Sequence, residues 1–173
     1  MSLRDWSEAG VWDPVCDPDL RFQSQILVGA LALWRRHAPH GSIPRRAALT
    51  LRALKSLTAR TTLFERVARE PSRYRVRLMG TRIAQLVGEA QGRMLEDVIP
   101  PQANLRWCAA FDEVLSQSRP LRFFGRQRID DLDSEILMAP LLDDAGRPNL
   151  LFTVATFRSG ASVDCEGIIA ARI

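Results

Sequence analysis

The sequence predicts an α+β fold: a five-stranded antiparallel sheet with helices on one face and an N-terminal helical extension. Residues 73–78 alternate strictly between arginine and apolar side chains, which is the pattern of a strand with one wet and one dry face. The predicted strands fall into a group of two and a group of three, with helices between the groups. The last strand, residues 150–157, is apolar on both faces and is therefore expected at the centre of the sheet.

Length and composition fit one folded domain with an extension. The chain has 173 residues, of which 46% are apolar, and this is enough to build a core without a metal or a disulfide. No apolar run reaches the ~20 residues that cross a bilayer, and the N-terminus lacks the apolar core of a secretory signal. We therefore expect a cytoplasmic protein without a membrane partner. The three cysteines form no Cys-x-x-Cys pair, which indicates free thiols.

The N-terminal region is expected to be an irregular lead-in followed by an amphipathic helix. Residues 1–16 show no hydrophobic period. Asp17 is suited to cap a helix and Pro18 to its first turn, so we predict a helix over residues 18–36. Its apolar face is wide. The helix therefore either packs on the rest of the chain or pairs with a second copy in a homodimer, and the sequence leaves both hypotheses open.

The remaining elements follow in a regular order along the chain. Strands are predicted near residues 61–69, 73–78, 121–129, 135–142 and 150–157, and helices near residues 49–57, 83–88 and 102–117. In the last of these helices, the positions expected to face the core are Leu105, Cys108, Phe111 and Leu115.

These elements define three regions. Residues 1–38 hold the lead-in and the amphipathic helix, residues 39–158 hold the sheet with its covering helices, and residues 159–173 are expected to form a weakly ordered tail. Because the helices are expected on one face of the sheet, we expect a cavity between the two layers.

Three segments resemble the PAS domain superfamily, and more narrowly the stand-alone PAS-like proteins of alphaproteobacteria once described as a domain of unknown function. The segments are Trp34-Arg35 followed by Ile43-Pro44-Arg45-Arg46, the stretch Tyr74-Arg75-Val76-Arg77-Leu78-Met79-Gly80-Thr81, and Gly88 followed by Gly92-Arg93-Met94-Leu95. The resemblance covers about residues 25–157. It implies a PAS-like fold and a role in sensing or protein interaction in bacterial signalling, without indicating a particular ligand.

The sequence does not favour an enzyme or a metal site. The two histidines, His37 and His40, lie at the predicted end of a helix before the core begins, and no Gly-x-Ser-x-Gly element marks a nucleophile. Two histidines alone do not make the four-ligand set of a structural zinc site. The glycines also follow no phosphate-binding pattern.

The resemblance also allows the known PAS cofactors to be considered. Haem-binding members use a histidine on a helix inside the domain, and no histidine follows His40 here. Flavin-binding light sensors use a cysteine in an Asn-Cys-Arg-Phe element, whereas Cys108 lies in Arg-Trp-Cys-Ala-Ala. We therefore expect no cofactor.

A ligand pocket between the sheet and the helices is the site hypothesis. Tyr74 and Trp107 can supply a hydroxyl and an indole donor within an otherwise apolar lining. The residues predicted to bind a ligand are Tyr74, Val76, Leu78, Trp107, Phe111, Phe123 and Met138. Each of them is also a candidate for the plain core. The predicted ligand is an unidentified small molecule, and the alternative partner for such a module is a regulatory protein.

Charge suggests a second, less favoured function. Residues 21–82 hold thirteen arginines, one lysine and two glutamates, a net charge of +12, whereas the whole chain has a net charge of +4. Such a block can attract phosphates, so nucleic-acid or nucleotide binding through residues 21–82 is the alternative hypothesis. Aromatic side chains are not interleaved with these arginines, and the pattern therefore favours a solvated face or an acidic protein partner over nucleic acid.

Overall fold

A computed structural model describes residues 14–127 and 132–159. These residues form one six-stranded sheet in which all neighbouring strands are antiparallel. The strands are β1 (Val15–Asp17), β2 (Thr61–Arg69), β3 (Ser72–Met79), β4 (Leu121–Gln127), β5 (Leu132–Leu142) and β6 (Pro148–Ser159), and their order across the sheet is β1-β4-β5-β6-β2-β3. The predicted α+β class and the central position of the last strand are confirmed.

Four α-helices accompany the sheet within the described residues. They are α1 (Gln25–Arg36), α2 (Leu51–Leu54), α3 (Thr81–Val87) and α4 (Pro101–Gln117). Short 3-10 turns at Pro39–Gly41, Arg46–Ala48, Lys55–Arg60 and Leu95–Asp97 connect them to the strands. None of these helices is long and apolar enough to cross a membrane.

The sheet has two buried faces, not one. Alternate residues of β5 belong to different cores, since Ile136 and Met138 pack with α3 and α4, whereas Leu137 and Ala139 pack with α1 and α2. We call the face toward α4 the inner face and the face toward α1 the outer face. The prediction of helices on a single face is therefore corrected: the N-terminal helix covers the second face.

The N-terminal prediction is wrong in detail. Residues 15–17 form an edge strand that pairs with β4, and the helix begins at Gln25 instead of residue 18. Leu20 has φ 58°, which a right-handed helix does not allow. Asp17 caps no helix; its carboxylate accepts hydrogen bonds from the amides of Asp19 and Arg21 at 3.0 and 3.1 Å. Residues 1–13 and most of the predicted tail, residues 160–173 with Cys165, lie outside the described residues.

Two side-chain directions also differ from the prediction. Between β2 and β3, Leu63 pairs with Leu78 but Phe64 pairs with Val76, so Arg77 is an extra residue in the ladder. This bulge places Leu78 with the outer core, on the face opposite Tyr74 and Val76.

On α4, the predicted inner positions Cys108, Phe111 and Leu115 are buried, but Leu105 is 70% exposed. Leu105 precedes Phe111 by six residues, which rotates it about 120° around the helix from that side chain.

Candidate functional site

The inner face brings together most of the residues predicted to bind a ligand. Tyr74, Val76, Phe111 and Met138 are fully buried there, Phe123 is 4% exposed, and Trp107 is half-buried at the edge of the same core. Leu78 is the exception, because the bulge in β3 directs it to the outer core. Six of the seven side chains thus share one core, and ligand binding by them stays a prediction.

Four aromatic rings form the centre of this site. Phe111 lies 4.6 Å from Phe64, 4.9 Å from Tyr74 and 5.4 Å from Trp107, measured between ring centroids. The Tyr74 ring meets Phe111 edge-on, a favourable arrangement of aromatic quadrupoles. Sequence reasoning missed Phe64. Its position opposite Val76 on β2 is set by the register of the hairpin, which the pattern of a single strand does not reveal.

The phenol of Tyr74 is the principal polar group of the site. Its hydroxyl donates a hydrogen bond to Asp112 Oδ1 on α4 at 2.5 Å, and Arg66 Nη1 on β2 lies 3.6 Å from the same oxygen. Burial, the largest cause, and this hydrogen bond raise the pKa of Tyr74 well above its ordinary value of about 10. The hydroxyl therefore remains a neutral donor over the physiological range.

Asp112 and Arg66 connect this buried hydroxyl to the surface. The Asp112 side chain is 39% exposed and the Arg66 side chain 14% exposed, so the polar group lies at the rim of the aromatic core. The sequence did not indicate either residue as part of the site, because their contact joins a strand to a helix that is distant in sequence. The site thus has an apolar floor and one hydrogen-bonding corner, which suits recognition more than proton transfer to a substrate.

Cys108 is a buried thiol in the same core. Its sulfur is 3.6 Å from Asn104 Oδ1, one turn earlier on α4. Burial and the nearby carboxylates of Asp112 and Glu96 raise the pKa of this thiol to about 11. At neutral pH it stays protonated, and a protonated thiol is neither a nucleophile nor a metal ligand.

The histidines occupy the position expected for them. His37 follows α1 as its C-cap residue, and His40 lies in the exposed turn beyond it with φ 55°. Among residues 14–127 and 132–159, no group of three or more histidine, cysteine or acidic side chains is arranged to hold a metal ion.

Comparison with known proteins places this arrangement in a family. Residues 23–155 match the family model described as a PAS domain. The chain belongs to the PAS domain family. As a PAS domain it is a sensor or interaction module, and the matched region includes α1, strands β2 to β5 and most of β6, but not β1.

Similarity to individual proteins is weak. Among solved structures, this PAS domain is similar to an RNA-binding light-oxygen-voltage receptor at 14% sequence identity and a TM-score of 0.40, over 85% of this chain and 38% of the receptor chain. The chain therefore spans less than half of that receptor, and so distant a likeness carries no argument about function. No curated protein matches the chain.

Proposed function

We propose that this PAS domain is a non-catalytic, cytoplasmic regulatory module of bacterial signalling, and that it binds a small molecule on the inner face of its sheet. The observation that supports this most is the combination of four clustered aromatic rings with one buried phenol held by Asp112. A ligand that fits this chemistry has a flat apolar body and one group that hydrogen-bonds at the Tyr74 corner.

Access to this site is proposed to run past Trp107. The other three rings of the cluster are buried to 7% exposure or less, whereas Trp107 is half-buried at the edge of the inner core. A rotamer change of this one side chain opens a path toward Phe64 and Phe111 without disturbing the strands. Because Phe64, Tyr74 and Phe111 are buried, binding among them requires this local rearrangement.

The test is native mass spectrometry of the purified full chain, followed by a thermal-shift screen with flat aromatic metabolites. We expect a bound molecule in the wild type, lower occupancy in Tyr74→Phe, and unchanged occupancy in Leu105→Ala, an exposed position on the same helix. The proposal fails if native and denatured masses agree and no compound in the screen raises the Tm.

A second copy of the chain is proposed as a protein partner, through the exposed side of α1. Val28 is 42% exposed, and no atom lies within 4 Å of the position that a Cβ would take at Gly29. Ala32 is exposed on the same side, and the helix carries no charged side chain before Arg35. An exposed face that is uncharged over about two turns, from Gln25 to Ala32, is typical of an interface.

Sedimentation of matched variants tests this partner. Deleting α1 is unsuitable, because Leu27, Leu31 and Trp34 cover the outer core. Val28→Glu should convert a dimer to a monomer, whereas Val67→Glu, at a position 41% exposed on β2, should leave the dimer intact. A monomeric wild type at all concentrations, or equal effects of both substitutions, would rule out this interface.

The alternative, nucleic-acid binding through residues 21–82, is less well supported. Four arginines of this block lie beside carboxylates in the described structure: Arg21 beside Asp17 and Asp19, Arg66 beside Asp112, Arg73 beside Glu96 and Arg77 beside Glu65. These pairs lower the local positive potential. Binding to single-stranded RNA that weakens steeply between low and physiological salt would favour the alternative.

A further inference from the structure

Three ionised side chains are buried together on the outer face of the sheet, away from the proposed ligand site. Arg122 on β4 is 8% exposed; its Nη1 lies 3.0 Å from Asp17 Oδ2 on β1, and its Nε lies 2.6 Å from Glu135 Oε1 on β5. The guanidinium also lies 4.4 Å from the ring centroid of Phe124. We call Asp17, Arg122 and Glu135 the outer-face network.

Glu135 supplies the cap that α1 lacks. The side chain of Ser24 at the N-cap makes no capping hydrogen bond, and the first turn of the helix holds no acidic residue. Instead, the two carboxylate oxygens of Glu135 accept hydrogen bonds from the amides of Gln23 and Ser24, each at 2.9 Å. A carboxylate that satisfies these amides also complements the positive end of the helix dipole. The start of α1 is therefore fixed to β5 by one side chain.

Asp17 fixes the other end of the same segment. Burial raises its pKa, but hydrogen bonds from the amides of Asp19 and Arg21 and from Arg122 outweigh burial, and the net pKa is lowered. The carboxylate is thus ionised at neutral pH and holds the turn that follows β1. Through Arg122 it is connected to Glu135, so one network holds both ends of residues 17–24.

Besides the network, the partly buried Leu20 and Phe22 pack against the outer core, and Arg119 Nη1 donates a hydrogen bond to the Pro18 carbonyl at 3.1 Å. Strand β1 pairs over three residues with β4 alone among the described strands, and Val15 is 54% exposed. Leu20 adopts a left-handed conformation that is unfavourable for a side chain of its kind. The rest of α1 is anchored independently by Leu27, Leu31 and Trp34 in the outer core. The buried apolar side chains of the outer core thus begin at Leu27, whereas residues 14–24 contribute only partly buried ones.

We propose that residues 14–24 form a detachable strap and that the outer-face network is the latch that holds it on the sheet. The network opens as a unit, because removing Arg122 from either carboxylate leaves a buried charge without its partner. Opening widens the existing cleft of about 380 Å³ beside Val15, Arg21 and Phe124. It also frees the backbone edge of β4 at residues 122–124, which is a site for an added strand.

Amide hydrogen exchange of the full chain, resolved by NMR, tests this latch without any ligand. In Glu135→Gln, exchange at the amides of residues 14–24 should rise by about tenfold or more, while the amides that pair β5 with β6 change by less than about twofold. The matched control is Glu65→Gln, which breaks an exposed ion pair with Arg77 near the opposite edge of the sheet and should leave the strap unchanged.

Several outcomes would overturn the latch. If exchange rises equally in the strap and in β5 and β6, the network stabilises the whole fold and not the strap in particular. If exchange in the strap does not rise, the network does not hold the strap on the sheet. Asp17→Asn perturbs the network from the strap itself and should give the same local pattern. If both variants fail to fold, the network is required by the whole sheet and the proposal is wrong. Because the variants leave every inner-face residue unchanged, these results are independent of the proposed inner-face site.

Discussion

Replacing Phe111 by alanine tests the packing on which the inner-face site depends. Phe111 is fully buried, and its ring lies within 5.4 Å, centroid to centroid, of Phe64, Tyr74 and Trp107. Removing a ring with contacts on three sides leaves a cavity that the surrounding strands cannot close. Such substitutions cost about 3–5 kcal/mol of unfolding free energy. This is a large share of the roughly 5–15 kcal/mol that stabilises a typical domain.

Urea unfolding followed by circular dichroism measures this loss. With a denaturant dependence of about 2 kcal/mol per molar urea, the midpoint of Phe111→Ala should fall by about 2 M. The matched control is Leu105→Ala on the same helix. Because Leu105 is 70% exposed, this change should alter the unfolding free energy by less than about 0.5 kcal/mol.

The comparison of these two variants can refute the description of α4. Equal destabilisation by both substitutions would mean that the helix is rotated from the orientation described above. A loss below about 1 kcal/mol for Phe111→Ala would mean that the ring is not enclosed by its neighbours.

Three further predictions follow from buried polar groups. Tyr74 is the sole tyrosine. Because its folded pKa is raised, no tyrosinate absorbance should develop as the folded chain passes pH ~10, and the unfolding free energy should fall above that pH, since only the unfolded chain releases the proton. In a Cys165→Ser background, a disulfide reagent should modify the exposed Cys16 rapidly and the buried Cys108 only on unfolding. Trp34→Phe should lower the unfolding free energy by about 1–3 kcal/mol, because its indole donates at 2.9 Å to a buried carbonyl of β5.

Each of these predictions has a contradicting result. A tyrosinate transition near pH 10 in the folded chain would show that the phenol is not buried against Asp112. Equal reaction rates of the two thiols would contradict the burial of Cys108. A Trp34→Phe variant as stable as the wild type in urea would mean that the hydrogen bond to Pro140 is not formed in solution.

Local patterns predicted most of the sheet but not its irregularities. The alternation in residues 73–78 correctly predicts a strand and the inward direction of Tyr74 and Val76. It does not reveal the bulge, because Arg77 is equally compatible with a ladder position and with an extra residue on a wet surface. The direction of Leu78 depends on pairing with Leu63 in the neighbouring strand, which is information outside the segment.

The N-terminal error has a similar physical origin. Asp17 followed by Pro18 is a common local signal for a helix start, but Asp17 is committed to Arg122, 105 residues away in the chain. With that pairing, Val15–Asp17 forms an edge strand and the helix begins only at Gln25. The carboxylate of Glu135 on β5 then caps the helix. The aromatic part of the candidate site could be predicted, because Phe111 lies on the apolar stripe of its helix and Tyr74 on the apolar face of its strand. The contact between Arg66 and Asp112 depends on how the strand packs against the helix, and no local pattern indicates it.

The two faces of the sheet are not independent, because they share β4 and β5. Phe123 and Ile136 are paired across these strands in the inner core, and the residues next to them in sequence, Arg122 and Glu135, belong to the network on the outer face. A small shift of β4 against β5 that admits a ligand beside Phe123 also changes the 2.6 Å contact between Arg122 and Glu135, which depends strongly on geometry. On the proposed function, binding on the inner face therefore changes the exchange of the strap. Thermodynamic linkage then requires that opening the latch change the affinity for that ligand by the same factor.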